Sequence, residues 1–171
     1  SMTGSPHEDE RYHVDFVCTG NICRSPMAEV IFHDALEAEG LTEHVRVSSC
    51  GIGGWHVGNG ADRRAVAELR SAGHDGSDHI ASQFGPDDMA ADLLVALDTG
   101  HVSELVARGV DETRIRLLRS FDPAAPEQAS VADPYYGGPE GFVETREQIE
   151  AAVEGMLTFV RTAVHVRTRS H

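Results

Sequence analysis

The stretch Val14-Asp-Phe-Val-Cys-Thr-Gly-Asn-Ile-Cys-Arg-Ser-Pro26 decides the fold of this 171-residue chain. It begins with an apolar run, residues 14–17, that is typical of a buried strand, and it leads into a helical pattern over residues 26–39. A strand, a tight loop and a helix N-terminus in this order form a concave set of backbone N–H groups at the positive end of a helix dipole. The stretch therefore predicts an oxyanion-binding loop at the end of a strand.

Two side chains of this loop suit the chemistry of a phosphate ester. Arg24 presents a planar guanidinium fork that can bind two phosphate oxygens at once. Cys18 stands at the other end of the loop, where the field that attracts an anion also favours the thiolate form of a cysteine. A thiolate aimed at a bound phosphate is the nucleophile of a phosphatase. The other residues expected to form the phosphate-binding loop are Thr19, Gly20, Asn21, Ile22, Cys23 and Ser25.

The two cysteines also allow other interpretations, which explain fewer residues. A zinc site usually has closer cysteine spacing and a second ligand pair, and neither is evident in the sequence. A dithiol redox pair usually has two residues between its cysteines, whereas four separate Cys18 from Cys23. A buried structural pair would leave Arg24 and the Gly-Asn turn without a role. The phosphate-thiolate interpretation is therefore preferred.

Composition and charge limit the class of protein. The chain is 40% apolar and long enough for one domain with a full core, predicted over residues 11–168 after a disordered tail, residues 1–10. The formal net charge of −14 argues against nucleic acid and anionic membranes as partners, since both attract basic surfaces. The sequence has three cysteines, and it has neither a membrane-length apolar run nor a visible secretory signal. These features predict a cytoplasmic protein, and export by a route that leaves no recognisable signal stays open.

Strand and helix patterns alternate along the chain. Strands are predicted at residues 12–17, 44–48, 93–97 and 115–118. Helices are predicted at residues 26–39, 62–72 with a cap near Asn59, 101–108, and along a C-terminal stretch, 142–164, where apolar residues recur at helical spacing. Gly40, Gly73 and Gly109 are expected to end the first three helices. This order predicts an α/β fold of three layers, a four-stranded parallel twisted sheet with helices on both faces.

Ligands of such a sheet bind beyond the carboxyl ends of its strands. Three further loops are expected at that edge beside the Cys18 loop, at residues 49–60, 98–101 and 119–141. The last of them contains two carboxylates followed by proline, Asp122 and Asp133, and a phosphatase needs such an acid to protonate the departing oxygen. Asp133 is favoured because Tyr135 and Tyr136 follow it and could wall a slot for an aromatic leaving group.

These motifs together resemble the low-molecular-weight protein tyrosine phosphatase family. The matching segments are residues 17–26, Val-Cys-Thr-Gly-Asn-Ile-Cys-Arg-Ser-Pro, and residues 133–137, Asp-Pro-Tyr-Tyr-Gly. Residues 55–58, Trp-His-Val-Gly, and 119–123, Arg-Ser-Phe-Asp-Pro, make the chain most similar to actinobacterial members, including mycobacterial secreted ones. The resemblance runs from about residue 12 to the C-terminal helix. It implies hydrolysis of phosphotyrosine monoesters in protein substrates, with no cofactor and no metal.

The resemblance also implies roles for individual residues. Cys18 attacks phosphorus and becomes a phosphocysteine, while Arg24 holds the phosphoryl oxygens as charge develops. Asp133 is the general acid of the first step and the base toward water in the second. Ser25 donates to the thiolate and favours its departure in the second step. Inorganic phosphate and similar oxyanions are expected to bind the same loop.

A polar network that supports the loop is implied in the same way. Asn21, Ser49 and His79 match its members, and asparagine also tolerates the left-handed backbone that such a turn requires. Two positions depart from the family pattern. Cys50 stands where relatives often have alanine, and Ser82 stands where they often have arginine.

An aromatic slot above the loop is expected to select the substrate. Trp55 lies on a glycine-rich loop with too few apolar neighbours to bury it well, so we expect it at the rim of the site. His56, Tyr135 and Tyr136 complete the predicted slot. Its depth would let phosphotyrosine reach Cys18, while phosphoserine would fall short.

Two other classes of protein share a similar fold and loop. A thiol-dependent arsenate reductase would need a relay of further cysteines, and none follows Cys50. A phosphocysteine carrier domain of sugar transport would not need Arg24 or an acid such as Asp133. Both classes therefore explain less of the sequence than a phosphatase does.

The nucleophile is also expected to be sensitive to oxidation. Peroxide converts a reactive thiolate to sulfenic acid, which a neighbouring thiol can trap as a disulfide. Cys23, in the same curled loop as Cys18, is the predicted partner, and Cys50 is the competing one.

Overall fold

A computed structural model describes residues 9–169 of the chain. Its strands are β1 Tyr12–Cys18, β2 Val45–Gly51, β3 Leu93–Ala96 and β4 Ile115–Leu117. Its helices are α1 Arg24–Ala38, α2 Arg63–Ser71, α3 Pro86–Met89, α4 Thr99–Ala107 and α5 Pro139–Arg169, and short 3₁₀ turns flank β4 at Glu112–Arg114 and Leu118–Phe121. The strands form a parallel sheet in the order β2-β1-β3-β4. The predicted α/β fold with a four-stranded parallel sheet is confirmed.

The central strands are buried on both faces because helices cover both sides of the sheet. Successive side chains of a strand point to opposite faces. Phe16 and Val95 therefore join a hydrophobic cluster with α1, α2 and α5, whereas Val17 and Ala96 join a second cluster with α4. In the first cluster the rings of Phe16 and Phe32 meet edge to face with their centroids 5.9 Å apart. The three predicted layers follow from this alternation.

The register of the strands brings several loops to one edge of the sheet. Cys18 and Gly51 form the last pair between β1 and β2, so the loops after these two strands start side by side. β3 ends beside them at Ala96, and Asp98 follows one residue later. The long loop after β4 returns to the same edge, where Val131 N donates to Leu97 O at 2.8 Å. All the loops predicted to form the site thus meet at the carboxyl ends of the strands.

Several element ends differ from the sequence predictions. α1 begins at Arg24, two residues before the predicted start, because proline fits anywhere in the first helical turn and so does not mark its first residue. α2 is capped by Asp62 and not near Asn59, since the Asp62 carboxylate accepts from Arg64 N at 2.8 Å. β2 extends to Gly51 because it continues to pair with β1. The four-residue helix α3 is too short to give a periodic pattern.

The glycines predicted to end helices adopt the backbone conformation that this role requires. Gly40, Gly73 and Gly109 have φ values of 69°, 89° and 96°. A side chain is disfavoured there, because L-residues other than glycine rarely adopt positive φ. These predictions are confirmed.

The ends of the described chain are held against the body of the domain. Most of the predicted disordered tail lies outside the described residues, which begin at Asp9, and Asp9 forms ion pairs with Arg11 and Arg46. At the other end Arg167 of α5 pairs with Asp92 at 3.0 Å. Over residues 9–169, no helix combines the length and the apolar character needed to cross a lipid bilayer.

Candidate active site

The loop between β1 and α1, residues 18–24, which we call the oxyanion loop, borders a cavity at the carboxyl edge of the sheet. Backbone hydrogen bonds attach it to the loop after β2, where Ile52 N donates to Cys18 O and Gly53 N donates to Thr19 O, both at 2.9 Å. Gly51 lies so close that a Cβ atom there would be 3.0 Å from Thr19 O. A larger residue at this position would displace the loop. The end of β2 and the loop after it therefore hold the oxyanion loop in place.

The backbone of the loop offers hydrogen-bond donors to an anion. Within the described part of the chain, the N–H groups of Thr19, Gly20, Ile22 and Cys23 donate to no protein acceptor. Asn21 between them has φ 60°, the left-handed conformation that asparagine tolerates. Mixing right- and left-handed residues makes successive N–H groups converge into a nest, which suits an oxyanion.

Cys18 faces two hydrogen-bond donors of its own loop. Its Sγ is 2.9 Å from Ser25 Oγ and 3.3 Å from the backbone N of Asn21. Because Ser25 Oγ accepts from Asn21 Nδ2 at 2.8 Å, its own hydrogen is left for the sulfur or for the more distant Cys50 O at 3.4 Å. Both donors can stabilise negative charge on the sulfur.

Asn21 connects the loop to three other parts of the chain, through its side chain and its backbone carbonyl. Its Nδ2 donates to Ser49 Oγ at 2.9 Å, and Ser49 donates onward to Glu29 Oε1 at 2.5 Å. Its Oδ1 accepts from Ser82 N at 2.9 Å, and its backbone O accepts from His79 Nε2 at 2.7 Å. The residues that the resemblance places in a polar network are thus in direct contact. Ser82 takes part through its backbone N–H, which does not depend on its side chain.

Arg24 is 4% exposed, and its guanidinium is held in one orientation. Nη1 donates to Asp98 Oδ2 at 2.9 Å and to Val131 O at 3.0 Å, while Nη2 is 3.7 Å from Asp133 Oδ2. Burial alone would raise the pKa of Asp98, but its contacts with His101 and Arg24 outweigh burial and hold that pKa below its usual value. An ionised Asp98 therefore orients the arginine.

His101 links the start of α4 to the oxyanion loop. Asp98 caps this helix by accepting from His101 N at 3.0 Å, and Asp98 N donates to His101 Nδ1 at 3.2 Å. Since Nδ1 accepts, the ring hydrogen is on Nε2, which donates to Thr19 Oγ1 at 2.9 Å. Asp98 and His101 are absent from the predicted site residues. The one signal for them in the sequence is that they follow β3 at the functional edge of the sheet.

The buried imidazole of His101 makes stability depend on pH. Burial is the largest cause that lowers its pKa, to about 4, whereas an unfolded histidine has a pKa of about 6.5. The unfolded state binds more protons between these values, so unfolding becomes easier as the pH falls from 6.5 to 4. Because of His101, we expect the free energy of unfolding to be about 2 kcal/mol lower at pH 5 than at pH 7.

Urea unfolding at pH 7 and pH 5 of the native chain and of His101→Gln measures this effect. The glutamine amide reaches the position of the histidine Nε2, which donates to Thr19, but does not titrate, so the free energy of unfolding of the variant should fall by about 2 kcal/mol less than that of the native chain between the two pH values. The same loss in both proteins would contradict the assignment of a neutral, buried His101.

The cavity beside Cys18 has a volume of about 330 Å³. It is bounded by the oxyanion loop, the loop after β2 and the segment that carries Asp133; the lining residues are Cys18, Thr19, Gly20, Ile22, Cys23, Arg24, Trp55, His56, Asp133, Tyr135 and Tyr136. Every predicted slot residue is among them. Of the predicted loop residues, Asn21 and Ser25 do not line the cavity; they are fully buried.

Aromatic side chains form the outer part of the cavity. Trp55 is 74% exposed and Tyr136 is 90% exposed, so both stand at the rim. Tyr135 meets Tyr136 edge to face with ring centroids 4.9 Å apart. Gly20 leaves room for His56, whose Cδ2 atom would be 2.9 Å from a Cβ at that position. Outside the loop itself, the lining of the cavity is therefore mainly aromatic.

The two Asp-Pro sequences of the long loop have different surroundings. Asp133 lines the cavity, its Oδ1 accepts from Tyr135 N at 3.1 Å, and its side chain is 45% exposed. Asp122 accepts from Ala124 N at 2.9 Å in a turn and lines a separate cavity beside β4. Of the two carboxylates, only Asp133 is in reach of Arg24 and the oxyanion loop.

The three cysteines are all reduced and buried, in different surroundings. Cys23 shares the hydrophobic cluster of Cys18, whereas Cys50 belongs to the cluster on the opposite face of the sheet. Cys50 Sγ donates to Asp15 Oδ2 at 3.4 Å, and burial raises the pKa of this thiol well above its usual value. The Cys18–Cys23 disulfide stays a prediction, with Cys23 on the nucleophile's side of the sheet.

Two groups of side chains in the described residues have ligand atoms close enough for a metal ion. One is the buried group Asp15, Cys50 and Asp88, and the other is the group His33, Asp34 and Glu37 on α1. In the buried group Asp15 accepts from Cys50 and Asp88 accepts from a backbone N–H. Neither group contributes to the cavity beside Cys18.

Comparison with known proteins agrees with this geometry. Residues 13–166 match the family model of low molecular weight phosphotyrosine protein phosphatases. The chain is 52% identical over 149 residues to low molecular weight protein-tyrosine phosphatase A of Mycobacterium tuberculosis (86% of this chain, 91% of the relative). It is 50% identical over 161 residues to a low molecular weight protein-tyrosine-phosphatase of Streptomyces coelicolor (91% and 98%).

The fold is similar to that of solved structures as well. The crystal structure of YfkJ from Bacillus subtilis superimposes with a TM-score of 0.83 at 32% identity, over 91% of this chain and 98% of that one. A protein tyrosine phosphatase from Entamoeba histolytica gives a TM-score of 0.82 at 30% identity, over 88% and 97%. The chain therefore belongs to the low molecular weight protein-tyrosine phosphatase family, as its motifs predicted.

Proposed function

We propose that the protein hydrolyses phosphotyrosine in protein substrates through a phosphocysteine at Cys18. The observation that carries this proposal is a single cavity that joins the thiol of Cys18, the guanidinium of Arg24 and the carboxyl group of Asp133 beneath an aromatic rim. A nucleophile, an oxyanion clamp and an acid at one place are the groups that transfer of a phosphoryl group requires.

In the first step the phosphoryl oxygens bind the N–H groups of the loop and the free edge of the Arg24 fork. Cys18 reacts as its thiolate: the sulfur attacks phosphorus, so an S–P bond forms as the P–O bond of the ester breaks. Asp133, in its protonated form, transfers its proton to the departing phenolic oxygen. The carboxyl group is well placed for this, since it lines the same cavity and is 3.7 Å from Arg24 Nη2.

In the second step water releases the phosphate. Asp133, now a carboxylate, accepts a proton as the water oxygen attacks phosphorus, and the S–P bond breaks with its electrons on Cys18. Ser25 Oγ and Asn21 N lie at 2.9 Å and 3.3 Å from the sulfur and stabilise the returning thiolate. The product, inorganic phosphate, occupies the same loop before it leaves.

The aromatic rim supports phosphotyrosine as the substrate. Trp55 and Tyr136 stand at the mouth of the cavity, while the thiol of Cys18 lies inside it and is almost inaccessible. A phenyl ring can fill the space between the rim and the phosphate, and aromatic contacts add about 0.5–1.5 kcal/mol beyond burial. The shorter side chain of phosphoserine neither spans this depth nor makes these contacts.

Two phosphopeptides of the same sequence, one with phosphotyrosine and one with phosphoserine, test this proposal. We expect kcat/KM for phosphotyrosine to be at least ~100-fold higher, which corresponds to roughly 3 kcal/mol. Trp55→Ala should raise KM for the phosphotyrosine peptide about tenfold, and Trp55→Phe should restore most of the loss. Equal rates on both peptides would contradict the slot, and arsenate reduction without phosphatase activity would assign the protein to the reductase class.

A further inference from the structure

We propose that Arg64 is a positioning residue for the general acid, because it holds the segment that carries Asp133 against α2. This inference rests on the role proposed for Asp133. Arg64 lies in the first turn of α2 and does not line the cavity, so it contacts neither the substrate nor the phosphate. Its function would be to keep the acid and the aromatic wall at a fixed distance from the oxyanion loop.

The guanidinium of Arg64 contacts residues on the carboxyl side of Asp133. Nη2 donates to Tyr135 O at 3.0 Å, and Nη1 donates to Gly137 O at 3.2 Å. The Cζ atom is also 5.6 Å from the ring centroid of Tyr135 and 4.7 Å from that of Phe142 in the first turns of α5. One planar side chain thereby joins α2, the segment 134–138 and α5.

The other side of Arg64 is connected to the oxyanion loop through Asp62. Both Nε and Nη2 of Arg64 donate to the Asp62 carboxylate at 3.0 Å. The hydrogen bonds from Arg64 lower the pKa of Asp62, so this pair is ionised at neutral pH. Asp62 N in turn donates to Ile22 O at 2.8 Å. A continuous series of direct contacts therefore runs from the loop that binds phosphate to the segment that carries the acid.

The segment 134–138 depends on Arg64 because it has few other attachments. In the described chain, residues 134–138 accept one hydrogen bond from α5, where Gly141 N donates to Gly138 O at 3.1 Å, and two from α2, both donated by Arg64. Ala132, the residue before Asp133, is bonded independently to α5: Gln148 accepts from Ala132 N, and Thr145 donates to Ala132 O. Loss of Arg64 would free the carboxyl side of Asp133 and leave the other side fixed.

A general acid is sensitive to small displacements, whereas the oxyanion loop has its own supports. Proton transfer needs the carboxyl group within hydrogen-bond reach of the leaving oxygen. The loop itself is held by Asn21, by Gly51 and by the backbone hydrogen bonds from the loop after β2, none of which involves Arg64. Substitution of Arg64 should therefore weaken protonation of the leaving group and spare phosphate binding.

The test measures kcat/KM of Arg64→Gln with aryl phosphates of increasing leaving-group acidity. We expect a loss of roughly 10–100-fold with phenyl phosphate, a fraction of the 10²–10⁴-fold that a positioned acid contributes. With a dinitrophenyl phosphate, whose leaving group departs without a proton, the loss should fall below about threefold. Inhibition by inorganic phosphate should be unchanged, which also shows that the variant is folded.

Arg63→Gln is the matched control. Arg63 is adjacent, carries the same charge and is exposed, and it makes none of the contacts that Arg64 makes with residues 135–137. We expect its kcat/KM to stay within about twofold of the native value for every substrate. Arg64→Lys keeps the charge but cannot bridge both carbonyls, so it should behave like Arg64→Gln and not like the control.

A double variant separates positioning from a general structural role. If Arg64 acts through the acid, then Arg64→Gln should cause little further loss in an Asp133→Ala background. A loss that is the same for all leaving groups, or that multiplies with Asp133→Ala, would overturn the proposal for Arg64. If Asp133→Ala itself shows no dependence on the leaving group, the proposed role of Asp133 fails, which is a different result.

Discussion

Replacement of Cys18 by serine is expected to abolish turnover and to leave phosphate binding intact. A serine hydroxyl is far less acidic than a thiol, and the groups around Sγ, Ser25 Oγ and Asn21 N, are donors that cannot remove its proton. Loss of a nucleophile costs on the order of 10⁵–10⁶-fold in kcat. The N–H groups of the loop and Arg24 are unaffected, so inorganic phosphate should still bind, as calorimetry can measure.

Cys50→Ser provides the matched control for this prediction. Cys50 is also a buried thiol, but it lies in the hydrophobic cluster on the opposite face of the sheet and donates to Asp15. Serine can make the same donation, so we expect activity close to that of the native chain. Appreciable hydrolysis by Cys18→Ser would rule out the phosphocysteine mechanism, whatever the behaviour of the control.

The oxyanion loop could be predicted from the sequence because its chemistry is contiguous. The strand, the loop and the helix start occupy a single stretch, residues 14–26, and the nucleophile and the arginine lie within it. Asp133 lies far along the chain, yet Tyr135 and Tyr136 gave it a local context that Asp122 lacks. Local patterns also gave the four strands, since a parallel sheet buried on both faces leaves continuous apolar runs.

The residues that hold the site in place could not be found in this way. Asp98 is 74 residues from Arg24 in sequence, and His101 is 82 residues from Thr19. In the sequence Asp98 is an ordinary helix cap, and Arg64 is one of two adjacent arginines at the start of α2. A cap satisfies N–H groups in any helix, so its residue type does not reveal a second contact. Only the packing of the loops against each other gives these residues their role.

The topology explains why one edge of the sheet can hold these groups so firmly. The loops after β1, β2 and β3 leave from neighbouring strand ends, so their side chains and backbones can contact one another directly. The residues at the start of α4 hold two side chains of the loop, since Asp98 accepts from Arg24 and His101 donates to Thr19. Asn21 is held by hydrogen bonds to Ser49 of β2 and to His79. The phosphate-binding loop is therefore preorganised, which stabilises developing charge without reorganisation during the reaction.

Replacement of Asp133 by alanine is expected to lower kcat by ~10²–10⁴-fold, the usual contribution of a positioned acid. The variant keeps Cys18, Arg24 and the loop donors, so attack on phosphorus remains possible and protonation of the leaving oxygen is lost. The loss in kcat/KM should therefore shrink as the leaving group becomes more acidic. Assays with a series of substituted phenyl phosphates measure this slope directly.

Asp122→Ala is the control that decides between the two Asp-Pro sequences. Asp122 accepts a hydrogen bond from Ala124 N in a turn and lines a cavity beside β4. Its replacement removes that turn contact, so we expect a modest loss of stability, about 1 kcal/mol, and kcat/KM values close to native for every leaving group. A larger loss in Asp122→Ala than in Asp133→Ala, growing with the basicity of the leaving group, would show that the acid had been assigned to the wrong carboxylate.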